Sequence, residues 1–352
     1  MDISDASIEI ADIRQRFGIA TLRAIHRAEL KPGIVEDGVI RDIDALAKTI
    51  SQCCLEAEPG PIKNSAAFFA APESKVFTHV FTFPRDLDKK AVKEAIDVQF
   101  SEYFPFDIEQ TAYDWKVVQV SDQTQMILVA ACDRRYIEQL VALADKLDMK
   151  VAGVDIESVS TARAILPPVK DLDSHMLIDL GANVTSMSIF GEEGLQCTFA
   201  LDIGGKKMTH RIAGKKNASE AQAEQMLRNL NFNKAKQSKE DQELIAICAS
   251  LLKPVIEESR RIIRFYEGSR KKTVSKIYLC GGMTLIKGLA GYIQEQVDLS
   301  VKIGDAGLKI KNKEVLENNK EALLFANVIG LALGGADKKY LHSRYEFLKS
   351  IS

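Results

Sequence analysis

The sequence predicts an α/β protein of two lobes that repeat one layered design, with a smaller domain inserted in the first. Three observations carry that reading. Short β-type runs bounded by turn residues alternate with helical periodicity along the whole chain, the pattern of sheets covered by helices. Two acidic runs, Asp2-Ile3-Ser4-Asp5-Ala6-Ser7 and Asp179-Leu180-Gly181-Ala182-Asn183-Val184-Thr185, each set an aspartate two residues ahead of a small residue and five or six ahead of a hydroxyl residue. A strand pattern follows each, and about half of the 352 residues separate them, as a duplication requires. From Pro84 to about residue 151 a separate group of strands and helices interrupts the pattern.

Taken in order, Ser7 to Ile13 alternates as a half-buried strand should, and Gly18 to Leu30 returns beside it. Residues 42–55 put Ile43, Leu46, Ala47, Ile50 and Cys54 on one helical face, and Ala66 to Ala70 is another strand. A helix beginning near Asp88 carries Ala91, Ala95 and Val98 on its apolar face. It breaks at Tyr103-Phe104-Pro105-Phe106, because proline withholds a backbone donor. Tyr113 to Val120 and Met126 to Ala131 pair as strands, and Arg135 to Leu147 and Ser158 to Leu166 are helices. In the second half Met176-Leu177-Ile178 is a short buried strand. Lys276 to Cys280 is another, running through Gly281-Gly282 into an amphipathic helix, Leu285 to Val297.

Composition narrows the function. Hydrophobic residues make up 46% and charged residues 27%, as in an ordinary globular protein, and a net charge of -2 provides no field to recruit nucleic acid or membrane. The longest apolar run, Leu323 to Gly335, contains Asn327 and falls short of the roughly 20 residues a membrane-spanning helix needs. The acidic start is unlike a secretory signal, so a cytoplasmic protein is expected. Six scattered cysteines suit neither a zinc site nor a disulfide framework and are expected as buried thiols. Five isolated histidines form no metal cluster and no Ser/His/Asp arrangement.

The chemistry sits in the turns. An aspartate at the end of a buried strand, followed by a tight turn, gathers backbone N–H groups into a concavity suited to phosphate oxygens, although aspartate there is also an ordinary turn former. Two such loops facing each other would hold a polyphosphate from both sides, with Asp2 and Asp179 meeting Mg2+ through its waters. Gly281-Gly282 between a strand and a helix start leaves bare backbone for a flat ring or a phosphate.

Together with Glu258-Ser259-Arg260-Arg261-Ile262-Ile263-Arg264-Phe265-Tyr266, Ile277-Tyr278-Leu279-Cys280-Gly281-Gly282 and Phe325-Ala326-Asn327-Val328-Ile329-Gly330-Leu331-Ala332-Leu333, these loops make the chain resemble the PilM family, actin-like cytoplasmic proteins of type IV pilus assembly related to FtsA. Phe100-Ser101-Glu102-Tyr103-Phe104-Pro105-Phe106 with Tyr113-Asp114 is similar to the family's inserted subdomain 1C, and Asp202-Ile203-Gly204-Gly205 to the segment after its second phosphate hairpin. The resemblance implies an actin-like, ribonuclease H-like duplicated fold that binds ATP and Mg2+. It implies subdomain 1A at residues 1–84, 152–172 and 320–352, 1C at 85–151, 2A at 173–205 and 270–319, and 2B at 206–269. By position it implies Asp2, Ser4 and Ser7 in one phosphate loop and Asp179, Gly181 and Thr185 in the other. Glu258 and Arg261 would lie beside the nucleoside, Gly281 and Gly282 at the adenosine turn, and Asp155 and Glu157 where the attacking water is positioned. Asp2 and Asp179 would serve the metal.

Two departures bear on turnover. Ser4 stands where the family usually has glycine, and Glu9 where it often has a lysine reaching the phosphates. A carboxylate about 6 Å from a phosphate charge, at an effective dielectric near 20, costs roughly 3 kcal/mol per unit charge pair, so hydrolysis is expected to be weak or absent. One residue precedes Asp2, which leaves the first strand very short and the completeness of the N-terminus open.

The resemblance also implies a partner, the cytoplasmic tail of an inner-membrane PilN-type protein, with Tyr103, Phe104 and Phe106 as its candidate contacts. It further implies contact with pilus motor components, a homo-oligomeric ring, and an indirect membrane association at the inner face of the cell membrane. Residues 206–239 hold nine lysines and arginines against Glu220 and Glu224, read first as a solvated face. The tail from Tyr340 to Ile351 places Leu341, Tyr345 and Leu348 on one stripe, expected to dock on the protein's own core rather than on lipid. Alternatives are an FtsA-like division tether, a sugar or acid kinase of the same superfamily, and a plasmid-segregating actin.

Overall fold

The computed structural model describes residues 1–63, 65–169, 173–233, 238–317, 322–336 and 347–350. The chain forms two compact units. The first gathers Met1–Ile165, Glu193–Cys197 and the described part of residues 306–352. The second gathers the described residues of Leu166–Glu192 and Thr198–Asp305.

The first unit opens as an antiparallel meander, β1 (Asp2–Ile3), β2 (Ser7–Arg16) and β3 (Ile19–Glu29). A small hairpin, β4 (Val35–Glu36) and β5 (Val39–Ile40), leads to α1 (Ile43–Glu56). The Asp42 carboxylate caps α1 by accepting from the Ala45 N–H, and the helix buries Leu46, Ala47, Ile50, Cys53 and Cys54. Next come β6 (Ala66–Ala71), β7 (Phe77–Pro84), α2 (Lys89–Tyr103), β8 (Thr111–Val120), β9 (Thr124–Asp133), α3 (Arg134–Lys146), β10 (Lys150–Ile156) and α4 (Glu157–Ile165). β6 and β10 pair in parallel, and β7-β9-β8 form a separate antiparallel sheet that begins at Phe77.

α2 packs on that separate sheet through Val92, Ile96 and Phe100, which join Phe81, Phe83, Phe104, Ile127 and Val129 in one core. This corrects the apolar face expected of α2. Val98 is 84% exposed, because the larger Ile96 and Phe100, four apart, bury more apolar area than the alanine stripe would.

The second unit runs β11 (Asp173–Leu180), β12 (Thr185–Gly191), β13 (Gly194–Leu201, of which Thr198–Leu201 group with this unit), α5 (Gly205–Lys216), α6 (Glu220–Asn229), α7 (Lys239–Arg270), β14 (Thr273–Cys280), α8 (Leu289–Gln296) and β15 (Ser300–Ile303). Its sheet order is β13-β12-β11-β14-β15, a meander continued by parallel strands. The first unit follows the same order, β3-β2-β1 and then β6-β10, with the Met1 nitrogen donating to the Phe68 carbonyl at 2.7 Å between β1 and β6. The duplication expected from the two acidic runs is thus present as a repeated topology. α8 is shorter than expected: Gly282–Leu285 forms a 3₁₀ turn, and Gly288, at φ 76°, interrupts before Leu289.

The chain closes on the first unit with α9 (Glu314–Glu317) and α10 (Ala326–Ala336). α10 lies on α4, β2 and β6. It approaches so closely that a Cβ on Gly330 would sit 1.7 Å from the Ser160 carbonyl oxygen of α4. Small residues in an otherwise apolar helix here make a backbone-to-backbone contact.

The final described turn, Phe347–Ser350, packs on β8 and β10 with Phe347 fully buried, while Leu341, Tyr345 and Ile351 of the proposed amphipathic tail lie outside the described residues. Five of the six cysteines are buried, and Cys197 is half-buried. Among the described residues, no helix is long and apolar enough to cross a membrane.

Candidate functional site

Each unit has one acidic turn. In the first, Ser4 does structural work that glycine could not. Its N–H donates to the Ser7 carbonyl at 2.9 Å, and its hydroxyl accepts from the Ser7 N–H at 3.0 Å and the Ala6 N–H at 3.4 Å. Three backbone donors are therefore engaged within the turn. Ser4 is not among the residues with positive φ, so the site never required glycine's conformational freedom.

The carboxyls of Asp2 and Glu9 belong to a directly opposed antiparallel pair. Burial pushes Asp2 upward, against the pull of the Asn327 side chain of α10 and of the N-terminal ammonium. Glu9 is pushed up to about 7 by burial and then by the Asp2 charge, against the pull of Ser7 and Arg27. Arg27 Nε donates to Glu9 Oε1 at 2.7 Å. The repulsion expected from Glu9 is thus reduced twice, by an ion pair and by a raised pKa.

Asp155 ends β10 inside the protein, where Arg163 Nη2 meets its Oδ2 at 2.5 Å. Arg163 Nη1 reaches the Gly330 carbonyl at 2.9 Å, and Lys309 Nζ donates to the Arg163 carbonyl at 2.6 Å. Burial and the neighbouring guanidinium lower Lys309 to about 8. Asp155 is thereby engaged in holding β10, α4 and α10 together, whereas Glu157 opens α4 half-buried.

The second turn is built more tightly. Gly181 N–H donates to the Val184 carbonyl at 3.1 Å, closing the β11–β12 hairpin, and the Thr185 hydroxyl donates to the Ile203 carbonyl at 2.6 Å. The start of α5 then clamps the turn: the N–H groups of Gly205 and Lys206 donate to the carbonyls of Gly181 and Ala182 at 3.0 and 2.9 Å. Such an approach demands Gly204, whose Cβ would lie 2.4 Å from the Ala182 oxygen.

Gly281, at φ 85°, lies against Asp179, where a Cβ would come within 2.3 Å of Oδ1. Asp179, Gly181 and Gly281 thus converge on one spot. Glu258 and Arg261 instead form an ion pair one turn apart on α7, with Nε to Oε2 at 2.8 Å, and that pairing holds the Glu258 carboxyl below its usual range.

Of the three aromatics singled out at the end of α2 and just beyond it, Tyr103 is 47% exposed and stacks on His79 with ring centroids 4.0 Å apart. Phe106 meets the exposed Phe77 edge-on at 5.1 Å. Phe104 is buried in the core against Phe100. Phe77 and His79, on the edge strand β7, complete the patch and went unnoticed in sequence because both sit in an ordinary strand pattern.

A meander running into parallel strands, made twice, with an acidic turn after the first strand of each copy, defines the actin-like ATPase fold. Solved structures agree. A PilM–PilN type IV pilus biogenesis complex contains a chain 19% identical, with 96% of this chain and 97% of that one covered and a TM-score of 0.78. The ethanolamine utilization protein EutJ from Carboxydothermus hydrogenoformans is 14% identical, with 94% and 87% covered and a TM-score of 0.55. MreB 5 of Spiroplasma citri bound to AMPPNP is 11% identical, with 97% and 98% covered and a TM-score of 0.53.

Residues 1–336 match the family described as type IV pilus assembly protein PilM, and the chain belongs to that family. No curated protein sequence matches the chain.

Proposed function

We propose that this protein is a nucleotide-binding scaffold of type IV pilus assembly that holds the cytoplasmic tail of a PilN-type membrane protein. The observation that carries the partner half is the aromatic patch of Phe77, His79, Tyr103 and Phe106 beside β7. Among the described strands, β7 pairs only with β9, so an extended tail would find both a strand edge and apolar side chains. That the first structural relative is a PilM–PilN complex supports the same reading. Titrating the full chain with the synthetic tail tests it: Tyr103→Ala should weaken capture about tenfold or more, as loss of an aromatic anchor does. Unchanged affinity would place the tail elsewhere.

For the nucleotide half, the second turn fits phosphate better than the first. Gly181, Gly204 and Gly281 leave bare backbone around Asp179, whereas the first turn carries side chains at every position from Ser4 to Ser7. Asp2, Ser4, Ser7, Asp179, Gly181 and Thr185 are the proposed phosphate-side residues, Gly281 and Gly282 the adenosine side, and Glu258 and Arg261 the nucleoside flank. Mg2+ held through waters by an aspartate such as Asp179 would supply positive charge between carboxylate and phosphates. Asp155 positions α4 through Arg163, which leaves Glu157 to orient a water. Weak turnover follows from a donor-poor first turn and from Glu9 in place of a lysine. A homo-oligomeric ring, pilus motor contacts and a place at the inner face of the membrane belong to the same proposal.

A further inference from the structure

The β2–β3 hairpin ends in an aromatic side chain that nothing among the described residues accounts for. Arg16 pairs with Ile19, so Phe17-Gly18 is a two-residue turn, with φ of 51° and 76°. Two left-handed residues make the type I′ geometry, for which Asn-Gly or Gly-Gly is the unstrained choice. Phenylalanine at the first position brings Cβ against backbone, and this ring recovers nothing by packing, being 101% exposed. Folding gives no reason for it.

The surroundings say what it suits. Register places Arg14, Arg16 and Ile19 on one face of the ribbon, all exposed. The nearby carboxylate of Asp12 is engaged by Arg23 at 3.4 Å. Along the other edge of β3, Ile310 bridges to Ala20, and the Lys311 N–H donates to the Ala20 carbonyl at 2.9 Å. That segment brings exposed Lys311 and Leu308 to the same end of the hairpin. An apolar tip inside a collar of cations is complementary to an anionic bilayer, where rings settle among headgroups and lysines and arginines meet lipid phosphates.

We propose that the tip of the β2–β3 hairpin is a contact for anionic lipid, with Phe17 entering the headgroup layer and Arg14, Arg16 and Lys311 resting on phosphates. One ring and three cations make a weak, reversible contact rather than a stable anchor. The proposal stands independently of the partner-tail reading.

Cosedimentation of the full chain tests it, using vesicles of phosphatidylcholine with and without about a third phosphatidylglycerol. Phe17→Asn supplies the favoured Asn-Gly turn, so its melting temperature should hold or rise. We expect binding to the anionic vesicles alone, weakened by salt. Phe17→Asn should lower it about tenfold, and Arg14→Gln or Arg16→Gln about fivefold each. Absence of binding by the unaltered chain, equal binding by Phe17→Asn, or indifference to lipid charge would overturn the proposal. So would Phe17-dependent self-association in the absence of lipid, which would make a second copy the occupant.

Discussion

Glu9 shows how one residue can be read correctly for position and incompletely for charge. Its place in the chain marks it as facing the first turn, but Arg27, eighteen positions away in sequence, meets it only because β2 and β3 pair. The raised pKa has a stability consequence. Between about 4.5 and about 7 the folded protein binds a proton at Glu9 that the unfolded chain has released, so the native state loses stability as pH rises through that window. With roughly 1.4 kcal/mol for each pH unit that separates the folded from the unfolded pKa, the loss amounts to about 3 kcal/mol at most. Denaturant melts across that window should show the slope, and Glu9→Gln should remove most of it; a slope unchanged by the substitution would assign the effect to Asp2.

Ser4 and Asn327 mark the limit of residue-level reading from the other side. A serine in place of glycine read as a defect until the turn showed its hydroxyl closing the loop. Asn327 was visible as a polar residue inside an apolar run, and that misfit was the available signal, but only the packing of α10 on α4 shows its Oδ1 accepting from the Ser160 hydroxyl.

At the scale of elements, α10 is held by proximity rather than by bulk. Gly330→Ala would put a methyl carbon into the Ser160 carbonyl, so the helix pair must separate, at a cost of about 3 kcal/mol or more. Thermal unfolding with and without the substitution measures this, and a change under about 0.5 kcal/mol would deny the contact. In the inserted sheet the aromatics divide by role. Phe104→Ala should destabilise by about 3 to 5 kcal/mol as a core truncation, while Tyr103→Ala should leave melting nearly unchanged. Equal losses would mean that Tyr103 is a packing residue too. Strand positions were legible because alternation is local. The face of α2 was not, since alanine stripes and Ile96/Phe100 stripes both satisfy helical spacing and only the opposing sheet chooses between them.

For the whole molecule, the duplicated topology was legible from two six- or seven-residue runs because an acidic turn after a buried strand has few sequence solutions. The clamp of α5 on the second turn was not, since Gly204-Gly205 reads as an ordinary helix start until Ala182 is seen beneath it. PilM family membership accounts for the order of these features, and the proposed function adds that the turn around Asp179 holds a nucleotide. Calorimetric titration of the full chain with Mg-ATP, alongside Asp179→Asn, addresses that claim directly. The account predicts saturable binding that weakens about tenfold, roughly 1.4 kcal/mol, when the carboxylate beside Gly281 becomes an amide. Heat no different from dilution at millimolar ATP, or affinity indifferent to residue 179, would contradict it.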